Sequence, residues 1–269
     1  MSVLEALILG IVQGITEFLP VSSSGHLVLL QKIFGIKEPA LVFDTALHGG
    51  TLVAVIAVLW RDIWNILRRI FQPLTVYLVI ATIPAAAAAL LFKNQIERAF
   101  ASGACLGFAF LITSLLLFAS EKLNRSAEKP APARGRNEMT WIDALFIGLL
   151  QAVAIIPGIS RSGATISAAL SRKLERDFAA RFSFLLSIPV ILGALVLQAK
   201  DLVNAGAKAG TIGLPTIAVG TISAGIVAFF SIRLTLKIVR EHSLTGFAVY
   251  TGFLGILVLI DKFGTHFFF

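Results

Sequence analysis

Five stretches of this chain, residues 70–92, 99–120, 182–199, 209–232 and 242–260, contain no Asp, Glu, Lys or Arg. Each is close to the roughly 20 apolar residues that a helix needs to cross a bilayer. Residues 45–60, with Phe43 and Asp44 before them, supply a shorter sixth candidate. Backbone in hydrocarbon must satisfy its own hydrogen bonds, so such runs fold as helices. The fold class expected is an all-α integral membrane protein. At 57% apolar and 14% charged, the composition lies well outside the soluble range of about 45–50% and about 25%. The net charge of +8 does not signal nucleic acid, because the basic residues flank apolar runs and form no basic face with interleaved aromatics. Cys105 stands alone, which excludes a disulfide framework and a Cys-based metal site. The N-terminus has no basic n-region and no small-residue cleavage site, so a cleaved signal peptide is not expected there.

The chain also repeats itself. Residues 13–26 read QGITEFLPVSSSGH and residues 151–164 read QAVAIIPGISRSGA. In both, a Gln follows an apolar lead-in, a Pro breaks the helix and a Ser-x-Ser-Gly cluster restarts it. Gln13 to Gly25 and Gln151 to Gly163 span the same distance. The polar stretch 121–138 divides the chain into a first repeat, 1–120, and a second, 139–269, within one membrane domain. Each half carries a broken segment (2–34 and 140–172) and then three spans: 42–60, 72–92 and 99–120, then 181–199, 211–232 and 244–261. Pro, Gly and Ser favour turns and caps over helix interior. Each broken segment therefore reads as a re-entrant helix–loop–helix pair, with its loop buried against the other. The expectation is six transmembrane helices plus two re-entrant pairs in an inverted-topology repeat.

Charge sets the orientation. The regions 61–71, 121–138, 172–181 and 233–241 fall on one side and hold 15 Lys or Arg, against 7 on the other. The excess marks the cytoplasmic side, and Trp60, Trp64 and Trp141 sit at that same interface. The first re-entrant pair then enters from outside and the second from the cytoplasm.

The two loops carry complementary chemistry. Glu17 lies in an apolar helix, where a charge costs on the order of 2.5–3.5 kcal/mol or more. Gln13, four residues earlier, shares its face. The pair is either an interhelical hydrogen bond or a divalent-metal or proton-handling site. Ser22, Ser23 and Ser24 precede Gly25 and His26; such a triplet is a cap or a nucleophile. If Gly25 opens a helix, His26 comes near Ser23 and is a candidate general base. In the second loop, Arg161 offers a fork that matches phosphate, and helices restarting at Gly25 and Gly163 would aim unpaired N–H groups at the same point. Asp44 and His48 line the substrate path or form a structural hydrogen bond. Asp143 caps a helix.

GITEFLPVSSSGH and PGISRSGAT together resemble the undecaprenyl-diphosphate phosphatases, the bacitracin-resistance membrane proteins of bacteria, over essentially the whole chain. The resemblance implies hydrolysis of undecaprenyl diphosphate to undecaprenyl phosphate and inorganic phosphate, recycling the lipid carrier of peptidoglycan synthesis. It implies a divalent cation, Mg2+ or Ca2+, and a site facing the periplasm or cell exterior from the cytoplasmic membrane. Carried onto this sequence, it makes Ser23 the nucleophile, His26 the base and Glu17 the essential carboxylate, with Glu17 and Gln13 at the metal. Many members have Glu where this chain has Gln13. Arg161, Ser160 and Thr165 become phosphate-binding residues, joined by Ser22, Gly25 and Gly163 of the loops. Expected partners are a polyprenyl diphosphate and membrane lipids, with no nucleic acid; the oligomeric state stays open, a homodimer included. A transporter or flippase of a lipid phosphate using the same inverted-repeat site is the alternative.

Overall fold

The structure is a computed structural model that describes residues 1–36, 41–125, 133–205 and 212–268. The middle of the polar stretch, residues 126–132, and Lys37 and Lys208 of the charge count lie outside the described residues. Twelve α-helices run in chain order among the described residues. In the first half these are α1 (Val3–Thr16), α2 (Ser23–Ile33), α3 (Leu41–Val58), α4 (Trp60–Arg68), α5 (Pro73–Leu91), α6 (Lys93–Ser102) and α7 (Leu106–Arg125). In the second half they are α8 (Trp141–Val153), α9 (Arg161–Ser171), α10 (Arg176–Ala205), α11 (Leu214–Glu241) and α12 (Thr245–Ile260). Five of them are long and apolar enough to cross a membrane, or six if α3 and α4 count as one bent span. This is a multi-pass membrane protein. Rows of large apolar side chains lie exposed along the spans, such as Ile222, Ile226, Phe230 and Leu234 on α11, which only a lipid surround satisfies.

Two spans differ from the sequence expectation. The third begins at Leu106 rather than near 99, because Lys93, Gln95, Glu97 and Arg98 belong to α6, a separate polar-faced helix that ends at left-handed Gly103 (φ 62°). The first span stops at Val58, and the chain bends by 75° into α4. Its Ile63 and Ile66 face the core, while Trp60 and Trp64 stay exposed.

The halves use the same caps at the same relative positions. Ser2 and Glu5 form a capping box on α1, and Thr140 and Asp143 form one on α8. Asp143 does more than cap: it is fully buried and pairs with Arg172 (2.7 Å) and Arg134. Ser22 Oγ accepts from Gly25 N at the start of α2, and Ser160 Oγ accepts from Gly163 N at the start of α9. Contacts across the halves are reciprocal: α1 packs on α11 and α8 on α5, while α7 packs on α12.

Small residues permit these contacts, as is common where van der Waals packing drives association of helices in lipid. A Cβ on Gly10 would lie 2.3 Å from the Gly220 carbonyl oxygen, and one on Gly148 would lie 2.6 Å from that of Ala81. Gly10→Val and Gly148→Val are each expected to destabilise by about 1–3 kcal/mol or more. Gly246→Val, where a Cβ meets nothing within 4 Å, should leave packing intact. Thermal unfolding of the three variants in detergent checks this.

Candidate active site

Two irregular segments, 17–22 between α1 and α2 and 154–160 between α8 and α9, abut inside the bundle. Pro20 cannot donate to a helix. Ser22 takes a left-handed backbone (φ 72°, ψ 94°), a strained conformation for a residue with a side chain. In the other segment Gly158 has φ 95°, and a Cβ there would lie 2.7 Å from Ala109 Cβ. Both backbone conformation and space therefore demand glycine. Thr113 of α7 pins this loop, donating to Gly158 O (3.2 Å) and accepting from Ser160 N (2.9 Å). The loops also bond each other directly: Ser162 Oγ donates to Leu19 O at 2.9 Å, and Gly158 N donates to Ser24 Oγ at 3.4 Å.

Glu17 stands at the centre, 6% exposed. Arg161 Nη2 donates to its Oε1 at 2.8 Å. Its Oε2 accepts from Ser23 Oγ at 2.6 Å and from Gln13 Nε2 at 2.9 Å. His48 Nδ1 of α3 lies 3.4 Å from the same Oε2 and 3.0 Å from Gln13 Nε2. A buried carboxylate needs paired charge and hydrogen bonds; here Arg161 of the second half brings the charge, and hydrogen bonds come from both halves. The guanidinium of Arg161 packs over Phe18, 5.9 Å from the ring centre. Beyond the long 3.5 Å contact from Nη1 to Ser183 O, its remaining N–H groups meet no acceptor among the described residues and can meet an anion.

These groups line one end of a cavity of about 650 Å3. Glu17, Ser22, Ser23, Ser24, His48, Ser160 and Arg161 form its polar end, and α5, α6 and α10 supply apolar walls that include Ile96, Phe100 and Leu197. A polar head with an apolar extension is the shape of an amphiphile with an anionic end group.

Glu17, Gln13, Ser23 and Arg161 are brought together as the sequence predicts. His26 is not brought to Ser23. Its Nδ1 bonds the Ser22 carbonyl (2.7 Å) and its Nε2 bonds Tyr250 OH (2.7 Å), with Phe110 edge-on to the ring. Helix α2 opens at Ser23, two residues earlier than a Gly25 start, and the Ser22 carbonyl occupies the imidazole. Thr165 is also turned from the cavity: it is buried and shares a 2.6 Å hydrogen bond with Ser183 Oγ. Ser22 and Ser160 line the cavity as caps. Gly25 and Gly163 are packing positions, where a Cβ would lie 2.6 Å from Phe110 Cζ and 3.0 Å from Ser160 Cβ. Asp44 and His48 divide, since Asp44 pairs with Gln31 (2.7 Å) and only His48 reaches Glu17.

Residues 6–257 match the family described as "Bacitracin resistance protein BacA". A protein of Carboxydothermus hydrogenoformans named undecaprenyl-diphosphatase is 46% identical over 260 residues, covering 97% of each chain. Undecaprenyl-diphosphatase 3 of Bacillus cereus is 43% identical over 263 residues, covering 98% of each. A protein of Methanosphaera stadtmanae, also named undecaprenyl-diphosphatase, is 38% identical over 282 residues, covering 97% of this chain and 98% of its own. The chain belongs to the BacA family. The BacA match takes in both loops, so Glu17, Ser23, His48 and Arg161 all fall inside it.

Among the described residues no three His, Cys, Asp or Glu gather as a ready-made metal cage. The donor set does fit the way Mg2+ binds beside a phosphorylated ligand, through one or two carboxylates plus the phosphate oxygens. Glu17 supplies the carboxylate. Gln13 Oε1, buried and without a hydrogen-bond partner, supplies a neutral oxygen on the adjacent turn.

Proposed function

We propose that this protein is an undecaprenyl-diphosphate phosphatase, releasing inorganic phosphate and returning undecaprenyl phosphate to peptidoglycan synthesis, with bacitracin resistance as a consequence. The observation that carries this reading is the joint hold of Glu17 on Ser23 Oγ and Arg161, one from each loop. The names of the relatives favour hydrolysis over transport.

Ser23 Oγ attacks the terminal phosphorus as Glu17 takes its proton across the 2.6 Å hydrogen bond. The bond from that phosphorus to the bridging oxygen breaks, and undecaprenyl phosphate leaves with the bridging oxygen. Glu17 gives the Ser23 proton to the departing undecaprenyl phosphate. Water then attacks the phosphoseryl group and gives its proton to the ionised Glu17, which passes it to Ser23 Oγ as the bond from that oxygen to phosphorus breaks and phosphate departs. Arg161 and the first amides of α2 and α9, which have no carbonyl to bond within their helices, stabilise charge on the phosphoryl oxygens. A divalent cation, Mg2+ or Ca2+, held by Glu17 and Gln13 would further neutralise the diphosphate. The isoprenoid tail lies against the apolar walls of α5 and α10. His26 holds the Ser22 carbonyl and thereby the turn that presents Ser23.

His48 backs Glu17. His48→Ala is expected to lower kcat by about 5–20-fold, within the range of lost positioning rather than lost base. His48→Gln should keep most activity, because an amide can also bond Gln13 and Glu17. Initial rates of phosphate release compare the two.

The architecture proposed is an inverted repeat of residues 1–120 and 139–269. The matched caps and reciprocal packing support it, and α1, α2, α8 and α9, of 11 to 14 residues, reach about 16–21 Å, short of a bilayer core near 30 Å. We take them as two re-entrant pairs. The excess of basic residues puts 61–71 and 172–181 in the cytoplasm of a bacterial inner membrane and the site toward the periplasm. Homodimer formation is compatible with this reading but takes no part in the site.

The test is phosphate release from a polyprenyl diphosphate by purified protein in detergent, with and without a chelator. Release that needs divalent metal and no second compartment is expected. No release under any metal condition would refute the enzyme reading.

A further inference from the structure

A second cavity, of about 620 Å3, opens where the end of α4, the start of α5 and the turn Arg136–Glu138 meet. Three guanidinium groups line it, Arg68, Arg69 and Arg136, and among the described residues no Asp or Glu does. They come from two separate elements, since Arg68 closes α4, Arg69 is its C-cap and Arg136 opens the turn before α8. Two of the heads are held in place: Arg136 Nη2 donates to Gln72 Oε1 at 2.8 Å, and Arg68 lies over Trp64, 5.0 Å from the ring centre. Like charges converging on one space repel unless an anion stands among them. The N-terminus of α5, with Pro73 at its first turn, adds the positive end of a helix dipole to the same space.

The cavity sits at headgroup depth. Helix α4 turns 75° away from the span before it and carries exposed Trp60, Trp64 and Leu67, the make-up of a helix lying in the membrane interface. The floor is apolar, formed by Leu74, Tyr77 and Met139. Among the described residues none lines both this cavity and the Glu17 cavity; on α5 their nearest lining residues, Tyr77 and Thr82, are a rise of about 7.5 Å apart. We propose that this basic cavity binds the phosphate of an anionic bilayer phospholipid, with the glycerol backbone of the lipid against Leu74 and Tyr77. Nothing in this inference depends on hydrolysis at Glu17.

Native mass spectrometry of the full chain released from detergent tests it, with phosphatidylglycerol and phosphatidylcholine as probes. The wild type should retain phosphatidylglycerol over phosphatidylcholine by about ten-fold or more, given roughly 1 kcal/mol per basic residue near an anionic headgroup. Combined Arg68→Ala, Arg69→Ala and Arg136→Ala should abolish that preference. Phosphate release by this variant should stay within about two-fold of wild type, since residues that share no partner act nearly independently. Should the triple variant fold poorly, Arg136→Gln alone should reduce the preference about five-fold. Equal retention of the two lipids by wild type, or an unchanged preference in the variants, would overturn the proposal. Displacement of the lipid by millimolar inorganic phosphate would overturn it too, assigning the cavity to a soluble anion.

Discussion

Glu17→Gln is expected to lower kcat for polyprenyl diphosphate hydrolysis by about a thousand-fold or more, the scale of a lost general base combined with lost electrostatic stabilisation. The amide keeps the shape of the carboxylate and can still accept from Ser23, yet it takes no proton and carries no charge. Arg161, 14% exposed at its side chain, would be left without a counter-charge. Breaking a buried pair from one side destabilises by about 3–5 kcal/mol, so thermal stability should fall along with turnover. A steady-state assay beside a detergent melting curve reads both effects. Activity within ten-fold of wild type would mean that the proton goes elsewhere.

Ser23→Ala should remove nearly all turnover while leaving the fold in place, because among the described residues the Ser23 hydroxyl bonds Glu17 alone, and Glu17 keeps its bonds to Arg161 and Gln13. A loss approaching about 10⁶-fold is expected when a covalent nucleophile is deleted, with about 10³–10⁴-fold over the uncatalysed reaction left to binding and electrostatics. Rapid acid quench with a substrate labelled on the terminal phosphate should find label on Ser23 of the wild type and none on the variant. An unlabelled Ser23 with a fully active wild type would assign the attack to water directly, with Glu17 still as the base.

Much of this site is legible in the sequence because it is local. The Ser-x-Ser-Gly clusters cap α2 and α9 as such residues do, and a Pro two to three residues before each cluster announces the break. Glu17 and Arg161 stand out since charges in apolar segments need partners; that they partner each other follows once both loops are buried in one membrane domain. The neighbourhood of His26 was not legible. Its partner Tyr250 is 224 residues away, and whether α2 starts at Ser23 or at Gly25 decides which way the imidazole turns. His48 escaped for a similar reason: its spacing from Asp44 suggested a shared role, whereas packing of α3 beside α1 sends one toward Glu17 and the other toward Gln31. From sequence, most of α4 falls in the connecting region 61–71 and the end of α6 in the span 99–120, because apolar run length cannot register a 75° bend or a glycine stop at Gly103.

The central claim is that one carboxylate from the first half and one guanidinium from the second work as a unit. A double-mutant cycle on phosphate release, comparing wild type, Glu17→Gln, Arg161→Gln and the double variant, measures that coupling directly. The double variant should be no slower than the worse single one, a coupling of about 2–3 kcal/mol at the upper end for residues in contact. Losses that simply multiply would contradict it.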